Sequence, residues 1–173
     1  IITLSNLAGS ETLAHSGTAS TSSANAGSYT INNLSGISIS NGTGAASNYT
    51  LTGGTHNFTI AERIISVNGT RLYDATSNAE ASDLSTQTNL VGSQTLVLSG
   101  TGIIASRDVG SNKTVSVGTL TLADGSNGGL AANYTLSGGT HQLTVTQRPL
   151  NSSGSKAYDA NTHALANAIT LSN

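Results

Sequence analysis

The sequence predicts an all-β protein, built as tandem, small, antiparallel, immunoglobulin-like β-sandwich repeats of about 85 residues. Three observations predict it. Ser, Thr, Gly and Asn supply 88 of the 173 residues, and all four are weak helix formers. Ile, Val, Leu and Thr recur in short alternating groups, the pattern of strands half-buried in a sheet. The chain also repeats itself, which fixes the architecture before any single element is assigned.

The repetition is explicit. At an offset of 85, 15 of the 33 positions in 47–79 and 132–164 are identical. Tyr49 lies over Tyr134, His56 over His141, Arg63 over Arg148, and Tyr73-Asp74-Ala75 over Tyr158-Asp159-Ala160. The rest aligns at an offset of 83, with Asn6 to Leu13 over Asn89 to Leu96, and Ile37 and Ile39 over Leu120 and Leu122. The two extra residues of the second copy fall near Asp124-Gly125-Ser126-Asn127-Gly128-Gly129, where a loop tolerates insertion. Ile169 to Asn173 repeats Ile2 to Asn6. The phase divides the chain into 1–61, a repeat lacking its opening strand; 62–146, a complete repeat; and 147–173, the opening strand of another. The expectation is a window on a longer array.

Within the complete repeat, strands are expected at 63–68, 94–99, 113–117, 119–122, 133–137 and 141–146. Leu96 and Leu98, Val115 and Val117, Leu120 and Leu122, and Leu143 and Val145 each alternate with Thr, Ser or Val, so one face of each strand can be buried. Gly and Asn fill the intervals as turns. A core of about a dozen aliphatic residues plus Tyr73 and Tyr134 follows, thin enough for neighbouring repeats to contribute to stability. An immunoglobulin-like sandwich is favoured over a β-grasp or a solenoid arrangement.

Composition excludes several function classes. The net charge of −2 provides no basic field for nucleic acid. No apolar run approaches the roughly 20 residues of a membrane helix, so no membrane insertion is expected. The absence of Cys removes disulfides, thiolate metal sites and cysteine nucleophiles. Neither end carries a recognisable signal-peptide or lipidation pattern.

Candidate chemical sites reduce to structural roles. Asp74 and Asp159 follow Tyr73 and Tyr158, and Asp in a turn accepts backbone N–H bonds. His56 and His141 stand 85 residues apart, poor metal-ligand spacing, and read as strand-edge histidines. The loop 124–129 has too few carboxylates for calcium. Gly100-Thr101-Gly102-Ile103-Ile104-Ala105 fits a relaxed dinucleotide fingerprint, but no helix pattern follows to receive a pyrophosphate. Recurrent Thr-x-Thr pairs lack the spacing of an ice-binding solenoid. No nucleophile-elbow, zinc-protease or P-loop pattern occurs, and no cofactor, no metal and no enzymatic activity are expected. Asn-x-Ser/Thr triplets begin at eight positions, some of them expected to carry sugar in native material.

The complete unit, read in order, resembles the YDG repeat of large secreted bacterial adhesins of the filamentous-haemagglutinin type. The residues carrying the resemblance are Arg71-Leu72-Tyr73-Asp74-Ala75-Thr76, Leu90-Val91-Gly92 with Leu96-Val97-Leu98, and Ala105-Ser106-Arg107-Asp108-Val109-Gly110. Lys113-Thr114-Val115-Ser116-Val117, Leu120-Thr121-Leu122 and Asn133-Tyr134-Thr135-Leu136 complete it. Asn48-Tyr49 and Tyr158-Asp159 repeat parts of the motif. The third motif residue is Ala75 or Ala160 rather than Gly, so this position is expected not to need a positive φ.

The resemblance implies a non-enzymatic stalk or spacer, secreted to a bacterial surface or extracellular matrix. Its partners would be neighbouring repeats or copies of itself head to tail, with extracellular polysaccharide or a host or cell surface as a further class. Two alternative roles remain. One is a fibre subunit in which 147–173, led by Arg148-Pro149-Leu150, adds a strand to the next copy. The other is a biofilm polysaccharide-binding module using an exposed Tyr such as Tyr29.

Overall fold

A computed structural model describes residues 2–172, and it is all-β. In chain order the strands are β1 (Leu13–Gly17), β2 (Gly27–Thr30), β3 (Ile37–Asn41), β4 (Asn57–Ile60), β5 (Arg63–Ile64) and β6 (Ser66–Leu72). There follow β7 (Asn78–Glu80), β8 (Thr86–Thr88), β9 (Leu96–Ser99), β10 (Thr101–Ile104) and β11 (Gly110–Ser116). Last come β12 (Thr121–Asp124), β13 (Tyr134–Thr135), β14 (Gln142–Thr146), β15 (Asn151–Gly154) and β16 (Ile169–Ser172). Among the described residues the helical content is confined to 3-10 turns at Ala46–Asn48, Ala131–Asn133 and Ala166–Ala168.

The chain divides into two compact units that interleave in sequence. The first comprises Ile1–Ile64, Leu90–Leu96 and Leu122–Thr135; the second comprises Ile65–Asn89, Val97–Thr121 and Leu136–Asn173.

In the second unit, β7, β10, β11, β14, β6 and β8 form a six-stranded sheet in that order. Its core is Ile65, Val67, Ala79, Leu84, Ile104, Val115, Leu120, Leu136, Leu143 and Val145. The alternation along β14 sorts the side chains as the pleat requires, with Leu143 and Val145 buried and their neighbours half-buried. Gly102 is needed at the centre of β10, because a Cβ there would lie 2.4 Å from Val115 Cγ1.

In the first unit, β1 pairs with β3, β2 with β4, and β5 with β13. Its core is smaller: Ile31, Ile37, Leu96 and Tyr134 are the buried apolar residues.

Expectation and structure differ in pairing direction. The sequence suggested antiparallel pairing throughout, yet β14 runs parallel to β6 and β13 parallel to β5. Alternation fixes which face a side chain takes, but it carries no information about strand direction. The seats beside β14 are taken by β6, about seventy residues earlier in sequence, and by β11. The structure also adds β7, β8 and β10, three short strands that the sequence pattern missed.

The C-terminal segment forms a separate hairpin in which β15 pairs with β16, Asn151 opposite Ser172 through Gly154 opposite Ile169. It resembles the hairpin β6–β8 but is one residue shorter, since Ser66 lies opposite Thr88 whereas its counterpart Asn151 lies opposite Ser172. Each hairpin contains a glycine where the returning loop crosses closely. A Cβ at Gly69 would lie 1.6 Å from Asp83 O, and one at Gly154 would lie 2.2 Å from Ala168 O.

Candidate functional site

The Tyr-Asp-Ala turn is organised around a buried guanidinium. Arg71, 8% exposed, is the penultimate residue of β6, and its side chain bonds to the loop that follows. Its Nη1 donates to Asp74 Oδ2 and, at 2.9 Å, to Thr76 Oγ1, while Nη2 donates to Thr76 O at 2.7 Å. The free carboxylate oxygen, Asp74 Oδ1, accepts the Thr76 amide and hydroxyl, each at 3.0 Å. This is the Asx-type turn expected of Asp in this position. The Thr76 amide holds the Asp74 carboxyl below its ordinary range, assisted by the Thr76 hydroxyl and the Arg71 charge against partial desolvation.

Ala75 completes the turn at φ +66°, and Ala160 stands at φ +59°. The expectation that this position needs no positive φ is therefore corrected. The Asp carboxylate must reach the amide two residues on, and the intervening residue adopts the left-handed conformation whether or not it is glycine.

The second turn repeats the arrangement with a different cation. Lys156 Nζ donates to Asp159 Oδ1 at 2.9 Å, to Asn161 O and Oδ1 at 2.8 Å, and to His163 O at 2.9 Å. The Lys156 hydrogen bond, then the Asn161 amide, lower the Asp159 carboxyl. The aromatic neighbours diverge. Tyr73 was expected in the core but is half-buried; it donates its amide to Thr146 O at 2.9 Å, and its carbonyl accepts Arg148 Nε at 2.9 Å. Tyr158 is 93% exposed. Arg148, Pro149 and Leu150 lie in the connection between β14 and β15, where with Tyr73 and Val109 they line an open surface cleft.

The Asn-Tyr motif is a turn followed by an anchored phenol. Asn48 and Asn133 close the 3-10 turns on the carbonyls of Ala45 and Leu130. Tyr49 Oη donates to Glu11 Oε2 at 2.5 Å and accepts the Ala8 amide at 3.1 Å. Tyr134 Oη likewise donates to Gln94 Oε1 and accepts the Val91 amide at 3.1 Å. The Glu11 carboxylate raises the Tyr49 phenol above its ordinary value, opposed by the Ala8 amide. Asn133 also accepts the Ala26 amide at 2.7 Å and donates to Asn25 Oδ1 at 3.0 Å.

The histidines correct a second expectation. His141 is not an edge residue: it is 4% exposed, with both ring nitrogens committed to backbone. Val67 N–H donates to Nδ1 at 3.2 Å, and Nε2 donates to Leu136 O at 2.9 Å. A neutral imidazole is the side chain that can accept on one side and donate on the other. His56 makes the Leu51 O contact at 2.8 Å and is only half-buried.

The loop 124–129 is a backbone device. Asp124 Oδ1 caps the next turn by accepting the Ala131 amide at 2.7 Å, and Gly125 N donates to Gly129 O at 2.9 Å. Gly100 to Ala105 contains β10, a strand rather than a helix. Among the described residues no three His, Asp or Glu side chains come together as metal ligands, and no helix is long and apolar enough to cross a membrane.

Sequence reasoning quoted Arg71 as a motif residue without its role in the turn, and missed the burial of His141. The signal for Arg71 was present: a chain with six Lys and Arg places a cation three residues before both motif Asp residues.

A YDG domain is found at residues 59–142. No curated protein and no solved structure matches the chain.

Proposed function

We propose that the chain is a non-enzymatic structural and adhesive module, a spacer in a long protein secreted to a bacterial surface. The observation that carries this reading is the second opening hairpin. β14 ends at Thr146 and β15 starts at Asn151, so the closing strand of the repeat leads into the second hairpin through four residues. Pro149 fixes one φ of that connection, and the Arg148 bond to Tyr73 O ties it back at 2.9 Å. A short, tethered connection favours a stiff string of units over a flexible one. The YDG domain at 59–142 supports the same reading, as does a net charge of −2, which gives little non-specific electrostatic attraction.

In this reading each unit is a small β-sandwich repeated along the chain, and its polar side chains serve the fold. The Asp74, Arg71 and His141 contacts described above all terminate on the protein's own backbone or turn residues, which favours a structural role for them. Small-angle scattering of chains extended by one, two and three further copies of 62–146 tests it. A spacer predicts a maximum dimension that grows by a constant step per copy. A dimension that grows only as the cube root of mass refutes it.

A further inference from the structure

In the second unit, β6 and β14 lie side by side and run the same way. They are parallel neighbours over five residue pairs, from Asn68 opposite Gln142 to Leu72 opposite Thr146. Both are interior strands of the six-stranded sheet, flanked by β8 and β11. Their inner face is dry: Val67 and Leu143 are fully buried, and Val145 and Arg71 nearly so. On the outer face Asn68, Gln142 and Thr144 are half-buried.

Further bonds between the same two segments close both ends of this ladder. Before it, Val67 N–H donates to His141 Nδ1 at 3.2 Å, and Thr140 N–H donates to Ser66 Oγ at 2.9 Å. Ile65 O passes so close that a Cβ at Gly139 would lie 2.1 Å from it. After it, Tyr73 N–H donates to Thr146 O at 2.9 Å, Thr146 Oγ1 to Arg71 O at 3.1 Å, and Arg148 Nε to Tyr73 O at 2.9 Å. The two segments are thus joined from Ile65 to Tyr73, although ladder partners such as Asn68 and Gln142 stand 74 residues apart in sequence. Within the first unit, β5 and β13 pair in the same parallel sense, Arg63 with Tyr134 and Ile64 with Thr135.

Tension along the chain meets this pair lengthwise. A pull arriving through Glu62 draws β6 toward its N-terminal end. A pull leaving through Gln147 draws β14 toward its C-terminal end. For parallel neighbours these pulls are opposed and lie along the strands. Every rung is loaded at once, and the strands part only when the rungs yield together. Two strands pulled from the same end of their ladder open one rung at a time instead. The chain continues on both sides of the pair, through 1–61 and 148–173, so backbone tension reaches it by this route.

We propose that the β6–β14 pair is a shear clamp, and that bearing tension is a function of the repeat. The proposal rests on the spacer reading, since a unit held in line between others carries whatever force is applied to the string. It goes beyond that reading, because a spacer needs only length. Forced unfolding is governed by the barrier to unfolding rather than by equilibrium stability. In this unit the barrier under tension lies in the contacts between 65–73 and 139–148. His141, Ser66, Thr146 and Arg148 tie the two ends of the ladder, where fraying starts.

Single-molecule pulling on the 173-residue chain tests it, with handles on engineered cysteines, since the chain has no Cys of its own. Glu62→Cys with Gln147→Cys loads the pair in shear. Leu72→Cys with Gln147→Cys loads the same pair from one end and peels it. All three positions are exposed. Five residue pairs share the load in the first geometry and one carries it in the second, so the shear rupture force should be about three times the peeling force or more at equal loading rate. Ser66→Ala removes the Thr140 tie at the end of the ladder remote from Leu72; it should lower the shear force and leave the peeling force unchanged. Equal rupture forces in the two geometries, or a Ser66→Ala effect of the same size in both, would overturn the proposal. Equal forces together with a constant scattering step per added copy remove the clamp and leave the spacer reading intact. A threefold ratio in chains whose scattering dimension grows as the cube root of mass removes the spacer reading, and with it the function assigned to the clamp.

Discussion

Replacing His141 by Phe should destabilise the protein far more than the same change at His56, although both follow Gly-Gly-Thr. The magnitude follows from what each ring holds. His141 satisfies Val67 N–H and Leu136 O, in a site 4% exposed. Phe satisfies neither, and each buried backbone group left unpaired costs about 1–3 kcal/mol, so the loss is about 2–6 kcal/mol. His56 contacts Leu51 O alone from a half-buried position. Water can reach that carbonyl, and the loss stays under about 1 kcal/mol. At about 2–4 °C per kcal/mol for a chain of this size, His141→Phe should lower Tm by roughly 4–24 °C and His56→Phe by no more than about 4 °C. Far-UV circular dichroism melts of both variants measure the difference. His141→Gln, whose amide can accept and donate, should recover part of the loss. Equal and small shifts for His141→Phe and His56→Phe would refute the reasoning, because they would mean that the two loops are equally open.

Other predictions test the turns and the core. Ala75→Gly should stabilise by about 0.5–1 kcal/mol, since relief of a left-handed Ala, about 1–2 kcal/mol, exceeds the added freedom of the unfolded chain, about 0.4–1 kcal/mol; urea midpoints measure it, and a loss of stability would contradict the turn assignment. Leu84→Ala, at a fully buried site, should cost about 2–5 kcal/mol in the same urea titration. The Asp74 and Asp159 carboxyls sit below their ordinary values, so their contribution is present above about pH 4 and is lost as pH falls through the lowered folded-state values. Asp74→Asn should therefore flatten the acid limb of the stability profile. The Tyr49 phenol is raised, so its contribution holds below about pH 10 and is lost as pH rises through the folded-state value. Tyr49→Phe should remove that alkaline loss.

Much of this fold was legible because its signals are local. Leu143 and Val145 alternate with Thr, and that alone places β14 and its buried face. Asp74 announces its turn through two-residue reach to Thr76. The 85-residue offset marked 147–173 as an opening strand led by Arg148-Pro149-Leu150; the strand starts later, at Asn151, and a second strand, β16, pairs with it. What was hidden depends on distant partners. Asn78-Ala79-Glu80 has no strand pattern, and it becomes β7 because β10 lies beside it, with Ala79 opposite Gly102. The parallel seat of β6 is decided by β14, whose Gln142 meets Asn68 far back in the chain. His141 was read as an edge residue because an isolated His says nothing of the Val67 amide that meets it. Ala75 was read as unstrained because its side chain tolerates most of backbone space, and only the Asp74 turn forces its φ to +66°.

The central claim is that β6 is locked into its unit by β14 and by the His141 ring, whereas β15 is held by β16 alone among the described residues. Hydrogen exchange by mass spectrometry, comparing 66–72 with 151–154 in this chain, tests it most directly. The account predicts slow exchange in 66–72, and faster exchange there in His141→Phe. It predicts fast exchange in 151–154 in both. Equal protection of 66–72 and 151–154, or no change in 66–72 in His141→Phe, would contradict it.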